Sequence, residues 1–280
     1  MAGRRRATWL GNAGKPKSMK TLLKLAAAGM RGEPLVMLTA YDAMFAGYAS
    51  KAGVDILLVG DSLGMVIQGH KDTLPVTVAD VAYHTACVAR GNVDSVILGD
   101  MPFGSYQASV EDAMRAAATL MQAGAHAVKL EGGAPMASTI EFLVKRGVPV
   151  VGHIGMTPQS VHAFGGFRVQ GRSDAAIEQL KLDLAAVTDA GAAMVVLECV
   201  PAVVGAMLAS ESKIPVIGIG AGPRVQGQVM VLHDILGWTA KPPKFARNFA
   251  AGTNTVQDAI SAYVTAVRDA SFPNESECYA

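Results

Sequence analysis

The sequence predicts an α/β protein folded as a single-domain (β/α)₈ TIM barrel. Three observations carry that expectation. First, one phrase recurs along the 280 residues: a helical segment, a Gly, then a short apolar run. It is read in "KAGVDILLVGD", "RGNVDSVILGD", "QAGAHAVKLEGG", "KRGVPVVGH" and "DAGAAMVVLEC", and with Lys-Ile-Pro instead of Gly in "KIPVIGIGAG". Gly is the usual residue just past a helix end. Second, the apolar runs are continuous rather than alternating, as in parallel strands buried on both faces. Third, the length suits one barrel, which typically takes about 250 residues. A doubly wound open sheet is the alternative with the same alternation.

The elements follow in order. Strands are expected near 35–39, 55–59, 95–99, 127–130, 148–151, 193–197, 214–218 and, weakly, 229–232. Thr77-Val78-Ala79-Asp80 and Ser109-Val110-Glu111-Asp112 resemble capping boxes that start helices, with Asp in place of Glu; Ser138-Thr139-Ile140-Glu141 fits the box fully. Ile177, Leu180, Leu184 and Val187 share one face of a helix near 175–190. Val256, Ile260, Tyr263, Val264 and Val267 mark a packed helix across 254–268. The barrel is therefore expected over 20–270, with a C-terminal tail over 271–280. Residues 1–19 carry Arg4, Arg5, Arg6, Lys15 and Lys17 and no acid, and read as a basic, solvated, disordered tail.

Composition narrows the function classes. The chain is 51% hydrophobic and 17% charged, which excludes disorder throughout. A net charge of +1 offers no field for nucleic acid or an acidic membrane. No apolar run approaches the ~20 residues of a membrane span. Cys87, Cys199 and Cys278 fit neither a zinc site nor a disulfide framework. That usage points to a reducing, cytoplasmic compartment.

The polar residues that end the apolar runs are the functional signal. Strand two ends in Gly60-Asp61-Ser62 and strand three in Gly99-Asp100. Strand four carries Lys129 and ends in Glu131, strand five ends in Gly152-His153, and strand six in Glu198. In a parallel barrel all these ends share the rim where such enzymes keep their active sites. Any single acid there could instead face a loop or cap a helix, as Asp61 could; the series is what distinguishes the site. Clustered carboxylates need a cation to stay ionised together. Oxygen donors without Cys select a hard ion, Mg²⁺ before Zn²⁺. Lys129 and Glu131, two apart on a strand, point the same way. A cation and a Lys together suit an anionic substrate with a carbonyl, such as a 2-oxo acid, whose polarisation acidifies the adjacent carbon. Glu198, flanked by apolar residues in "VVLECVP", is the best candidate for the base. His153 reads equally as an acid, a hydrogen-bond donor, an orienting group or a structural histidine. The "GIGAG" stretch at 218–222 reads as a tight turn rather than a phosphate cradle, because no Lys-Ser/Thr follows. Cys199 is read as packing.

Several long stretches resemble the ketopantoate hydroxymethyltransferase family. They are "LTAYDAMFA" (38–46), "LLVGDSLGMVIQGHKDTLPVTVADVAYH" (57–84), "GDMPF" (99–103), "VKLEGG" (128–133), "VPVVGHIGMTPQSVHAFGGFRVQGR" (148–172), "VVLECVP" (195–201), "IPVIGIGAG" (214–222) and "PKFARNF" (243–249). The resemblance implies a (β/α)₈ barrel, homodecameric in the common bacterial form, with one Mg²⁺ per subunit. It implies transfer of the one-carbon unit of 5,10-methylenetetrahydrofolate to 3-methyl-2-oxobutanoate, giving 2-dehydropantoate on the route to pantothenate, through a Mg²⁺-stabilised enolate. By motif, it implies Asp61, Asp100 and Glu131 as Mg²⁺ ligands, some through water. It implies Asp61, Ser62, Asp100, Lys129 and His153 as contacts to the oxo acid, and Glu198 as the base. The residue pattern reached metal, oxo acid and enolate; folate rests on the resemblance alone. The rival reading is a Mg²⁺-dependent carbon–carbon lyase of the phosphoenolpyruvate mutase and isocitrate lyase type, whose exposed loop usually offers a reactive Cys that is not evident here. A barrel that only binds an oxo acid is the non-enzyme alternative.

Overall fold

A computed structural model of the chain describes residues 20–280; the basic tail read over 1–19 lies outside the described residues. Eight parallel strands close into a barrel in simple chain order. They are β1 (Leu35–Thr39), β2 (Ile56–Val59), β3 (Val96–Asp100), β4 (Ala127–Glu131), β5 (Val150–Gly155), β6 (Met194–Glu198), β7 (Val216–Ile219) and β8 (Gly227–Met230). Pairing of Leu35 with Gly227 closes the ring between β1 and β8. Closure excludes the open doubly wound sheet.

The helices, in chain order, are α1 (Leu22–Met30), α2 (Ala43–Ala52), α3 (Leu63–Val66), α4 (Val78–Gly91), α5 (Val110–Gln122), α6 (Ala137–Val144), α7 (Val161–Phe164), α8 (Asp174–Asp189), α9 (Ala202–Glu211), α10 (Leu232–Ile235) and α11 (Val256–Arg268). Thr77 and Asp80 form the expected reciprocal capping box of α4. Ser109 accepts from the Asp112 amide, but the Asp112 carboxylate takes the Ser109 hydroxyl, so only half a box forms. The box at Ser138 does not form. A 3₁₀ turn, Ala134–Met136, with Pro135 at its start leads straight into α6, whose N-cap Met136 makes no side-chain bond. Proline pre-sets the helical φ, so the start moves upstream and Ser138 falls inside the first turn.

Strands β1 to β4 and β6 lie within a residue of where the apolar runs predict; β5 starts two residues later than 148 and runs on to Gly155. The eighth begins earlier than expected, because it opens on Gly227-Gln228, which no apolar run signals. The stretch between β7 and β8 is a tight turn, as expected: Gly220 has φ +63°, and a Cβ there would stand 2.6 Å from the Phe245 ring. The buried Tyr263 of α11 donates its hydroxyl to Met37 O at 2.8 Å and lies 3.2 Å from Gln228 O, which locks the helix over the β1–β8 seam.

The last ten residues differ from the expected tail. Phe272 is buried in edge contact with Phe249 and Tyr263, and Glu277 is held by Arg247 through two 2.7 Å bonds. A segment of this composition stays down because its aromatic and its acid each find a partner on the barrel. Among the described residues, no helix is long and apolar enough to cross a membrane.

Candidate active site

Strand register assembles the site. Asp100 pairs beside Lys129, Glu131 beside His153, and Gly155 beside Glu198. From β3 to β5 each titratable group thus has the next strand's group as its neighbour, while Glu198 stands two positions further along, beside Gly155. The Lys129 ammonium lies 2.8 Å from Asp100 Oδ1, 3.6 Å from Glu131 Oε1 and 3.3 Å from His153 Nδ1. His153 Nδ1 stands 3.5 Å from Glu131 Oε1, and its Nε2 stands 3.3 Å from Glu198 Oε2. The Asp61 amide donates to Asp100 Oδ2 at 3.0 Å. Asp61, Asp100, Lys129, Glu131, His153 and Glu198 therefore meet at one rim, as the sequence predicts. Ser62 joins at the edge, 2.9 Å from the Tyr41 hydroxyl.

The chain's own folding brings in two further residues that the sequence reading assigned no role. Gln159, buried in the "GHIGMTPQ" stretch, donates its amide side chain to Asp61 Oδ2 at 2.8 Å and to Met101 O at 3.0 Å. Its backbone amide donates to Glu131 Oε2 at 3.0 Å. Tyr106, also buried, donates to Gln159 Oε1 at 2.7 Å and accepts from the Glu131 amide at 3.0 Å. Gln159 thus bridges two carboxylates 28 and 98 positions away in the chain. A buried primary amide with every group occupied orients what it touches.

The electrostatics are frustrated. Burial, together with Asp100 and Glu131, pushes the Asp61 carboxyl well above the usual carboxylate range. Burial also raises Asp100, and the Lys129 ammonium only partly offsets it. Burial acts upward on Glu131 too, but Lys129 and the adjacent His153 outweigh it and leave it lowered. Burial alone disfavours the Lys129 charge, yet Asp100, Glu131 and Asp61 together raise its pKa. Burial and Lys129 act downward on His153, but the Glu131 and Glu198 carboxylates beside it raise it to about 9. Asp100 Oδ1 and Glu131 Oε1 face Lys129 without a well-directed hydrogen bond.

Three buried carboxylates share one ammonium, so the donor set fits a further cation. The donors are oxygens, which suits a hard divalent ion. Among the described residues, no trio of His, Cys, Asp and Glu encloses an ion unaided. Water or substrate oxygens would have to complete the coordination shell of any ion held there.

Glu198 differs from its neighbours. Its side chain is 14% exposed, against 2% for Asp100 and Glu131. It ends β6 and leads into Cys199, whose φ of 49° is left-handed. For a residue with a Cβ that conformation costs about 1–2 kcal/mol. Across the sheet Gly155, at φ +90°, leaves room: a Cβ there would come within 2.4 Å of Glu198 O. The Cys199 thiol is half-buried against hydrophobic neighbours, in line with a packing role.

Comparison with known proteins places this arrangement. Residues 19–275 match the family described as ketopantoate hydroxymethyltransferase. A 3-methyl-2-oxobutanoate hydroxymethyltransferase from Azoarcus sp. (strain BH72) is 55% identical over 261 residues, covering 92% of this chain and 96% of that protein. One from Burkholderia ambifaria is 52% identical over 273 residues, covering 97% of this chain and all of that protein (100%). Among solved structures, phosphonopyruvate hydrolase in complex with oxalate and Mg²⁺ aligns with a TM-score of 0.60 at 13% identity, over 88% of this chain and 96% of that one. A putative phosphonomutase from Burkholderia cenocepacia aligns with a TM-score of 0.59 at 18% identity, over 77% and 91%. Those structural likenesses share the barrel alone. Sequence separates the two groups that the fold leaves together: with over nine-tenths of its length aligned at more than half identity, the chain belongs to the ketopantoate hydroxymethyltransferase family.

Proposed function

We propose that the protein transfers the one-carbon unit of 5,10-methylenetetrahydrofolate to 3-methyl-2-oxobutanoate, forming 2-dehydropantoate for pantothenate synthesis. The observation that carries the mechanism is the contrast at the rim: a buried charge cluster ending in one carboxylate, Glu198, that opens to solvent.

Asp61, Asp100 and Glu131 are the residues that would hold Mg²⁺, directly or through water. The ion would supply Lewis-acid polarisation of the substrate carbonyl, which makes the adjacent carbon more acidic. The remaining work falls to the chain's own groups. Lys129, Asp61, Ser62, Asp100 and His153 bind and orient the oxo acid. Glu198 takes the proton from C3. His153 stands 3.3 Å from the Glu198 carboxylate and 3.3 Å from the Lys129 ammonium, so it orients the base and balances its charge as the proton moves. Lys129 offsets negative charge developing on the oxo-acid oxygen. The nucleophilic C3 then bonds to the one-carbon unit of the folate, both C–N bonds of that unit break, and one water supplies the hydroxyl of the product. The proton from C3 and the second proton of the water end on the two folate nitrogens, and tetrahydrofolate leaves. The folate, a homodecameric assembly and a cytoplasmic setting enter this reading from the family. The rival carbon–carbon lyase shares the barrel, but the relatives that match most of this sequence carry the transferase name.

Deuterium exchange at C3 of 3-methyl-2-oxobutanoate, with Mg²⁺ and without folate, tests the reading. Exchange by the wild-type protein is the expected result. Its absence would overturn the assignment.

A further inference from the structure

The C-terminal segment lies against the turn that carries Glu198. Asn274 caps a short turn, Glu275–Glu277, and Arg247 grips Glu277. Lys244 donates to the Cys278 carbonyl. These anchors deliver Tyr279 to the end of β6. Its carbonyl accepts from the Ala202 amide at 3.0 Å, its ring meets Phe245 edge-on at 6.3 Å, and its phenol lies near Cys199.

Cys199 sits directly after Glu198 in a left-handed conformation, with φ 49°. Residues in such conformations persist when their surroundings over-determine them. Here three segments do so. The Cys199 amide donates to Ile219 O at 2.9 Å, its carbonyl accepts from the Gln170 amide at 2.8 Å, and three residues on the Ala202 amide is tied to Tyr279 O at 3.0 Å. The aim of Glu198 depends on this turn. The Glu198 carbonyl accepts from the Met156 amide at 2.9 Å, but its carboxylate meets His153 at 3.3 Å without the dense bonding that holds Asp61 and Glu131. Rotation at residue 199 would redirect the side chain just before it. Tyr279 lies beyond residues 19–275, so the family match does not account for it.

We propose that Tyr279 is a positioning residue, and that the C-terminal segment is a strap which holds the left-handed turn at Cys199 and so aims Glu198 at its substrate. The inference rests on Glu198 being the base. A misaimed base lowers turnover while leaving the oxo-acid contacts in place.

The test follows C3 exchange in the full-length protein, with KM for the oxo acid and the thermal midpoint measured alongside. Tyr279→Ala should lower kcat for exchange about tenfold, as for loss of a group that orients a reacting residue. KM and the midpoint should stay near the wild-type values. Tyr279→Phe, which keeps the ring and the backbone contacts, should recover part of the rate, to within about threefold of wild type. The decisive arm is a cycle with Cys199→Gly. Glycine enters the left-handed region without the Cβ penalty, so in that background the Tyr279→Ala loss should shrink to about twofold or less. Equal losses in both backgrounds, or wild-type exchange in Tyr279→Ala, would overturn the proposal. So would a loss seen only in KM and midpoint. If Tyr279→Ala does not fold, Tyr279→Phe enters the same cycle, with a loss of about threefold expected. Absence of exchange in the wild type would instead sink the reading of Glu198 as base.

Discussion

Two aspartates flank β2, and they are equally buried: Asp55 just before the strand and Asp61 just after it are each 4% exposed. Their surroundings are opposite. Asp55, at the N-terminal end of the barrel, accepts from the Val36 amide at 3.0 Å and from Lys20 at 3.1 Å, and pairs with Arg268. It ties the start of the described chain, the first two strands and α11 together. Asp61, at the C-terminal end, lies among Asp100 and Glu131, with Lys129 and Gln159 only partly compensating. One end of the barrel uses its buried charge to close the fold; the other keeps charge only partly compensated, where the proposed function puts a cation and an anionic substrate. Buried charges that lack partners are where function is found.

The contrast can be broken experimentally, and the largest effect falls at the functional end. Glu198→Gln should lower C3 exchange by about 10²–10⁴-fold, the usual contribution of a positioned base. Oxo-acid binding by calorimetry should stay near wild type; a mutant with normal exchange would remove Glu198 as the base. Asp100→Ala should weaken Mg²⁺ by at least about 10–100-fold. Calorimetric titration of the metal checks this, and unchanged affinity would count against a ligand role. The paired aspartates give the sharpest comparison. Asp55→Asn should cost about 1–3 kcal/mol in urea unfolding, because it weakens a buried acceptor and two ion pairs, with exchange retained. Asp61→Asn should lose exchange yet unfold no earlier than wild type, since it relieves repulsion from two like charges. Reversal of that pattern would mean that the two ends do not divide their work. The smallest effect belongs to Lys20→Ala. Its side chain is 29% exposed, so chemical denaturation should show a loss under about 1 kcal/mol.

Much of the rim was legible in the sequence, for a geometric reason. Parallel strands all end at one face, so a titratable residue that follows each apolar run must join the others there. Asp61, Asp100, Lys129, Glu131, His153 and Glu198 were found that way. Gln159 and Tyr106 were not. They sit in segments after β5 and β3, where no strand period marks a direction, and only their buried hydrogen bonds reveal a role. Local cues also erred at Ser138, where Pro135 started the helix earlier, and at β8, whose first residues carry no apolar signature.

The sequence by itself determined the alternation of strands and helices, the rim on which the charges gather and the family to which the motifs point. These follow from local periodicity and from residue types at strand ends, which are properties of short segments. Only the tertiary structure decided which charges became neighbours, which carboxylate kept a path to solvent, and that the last ten residues fold back onto the turn after Glu198. Those depend on strand register and on packing between distant segments, such as Asp61 with Gln159 and Ala202 with Tyr279. No local pattern encodes such contacts, because their free energy appears only when both partners are buried together.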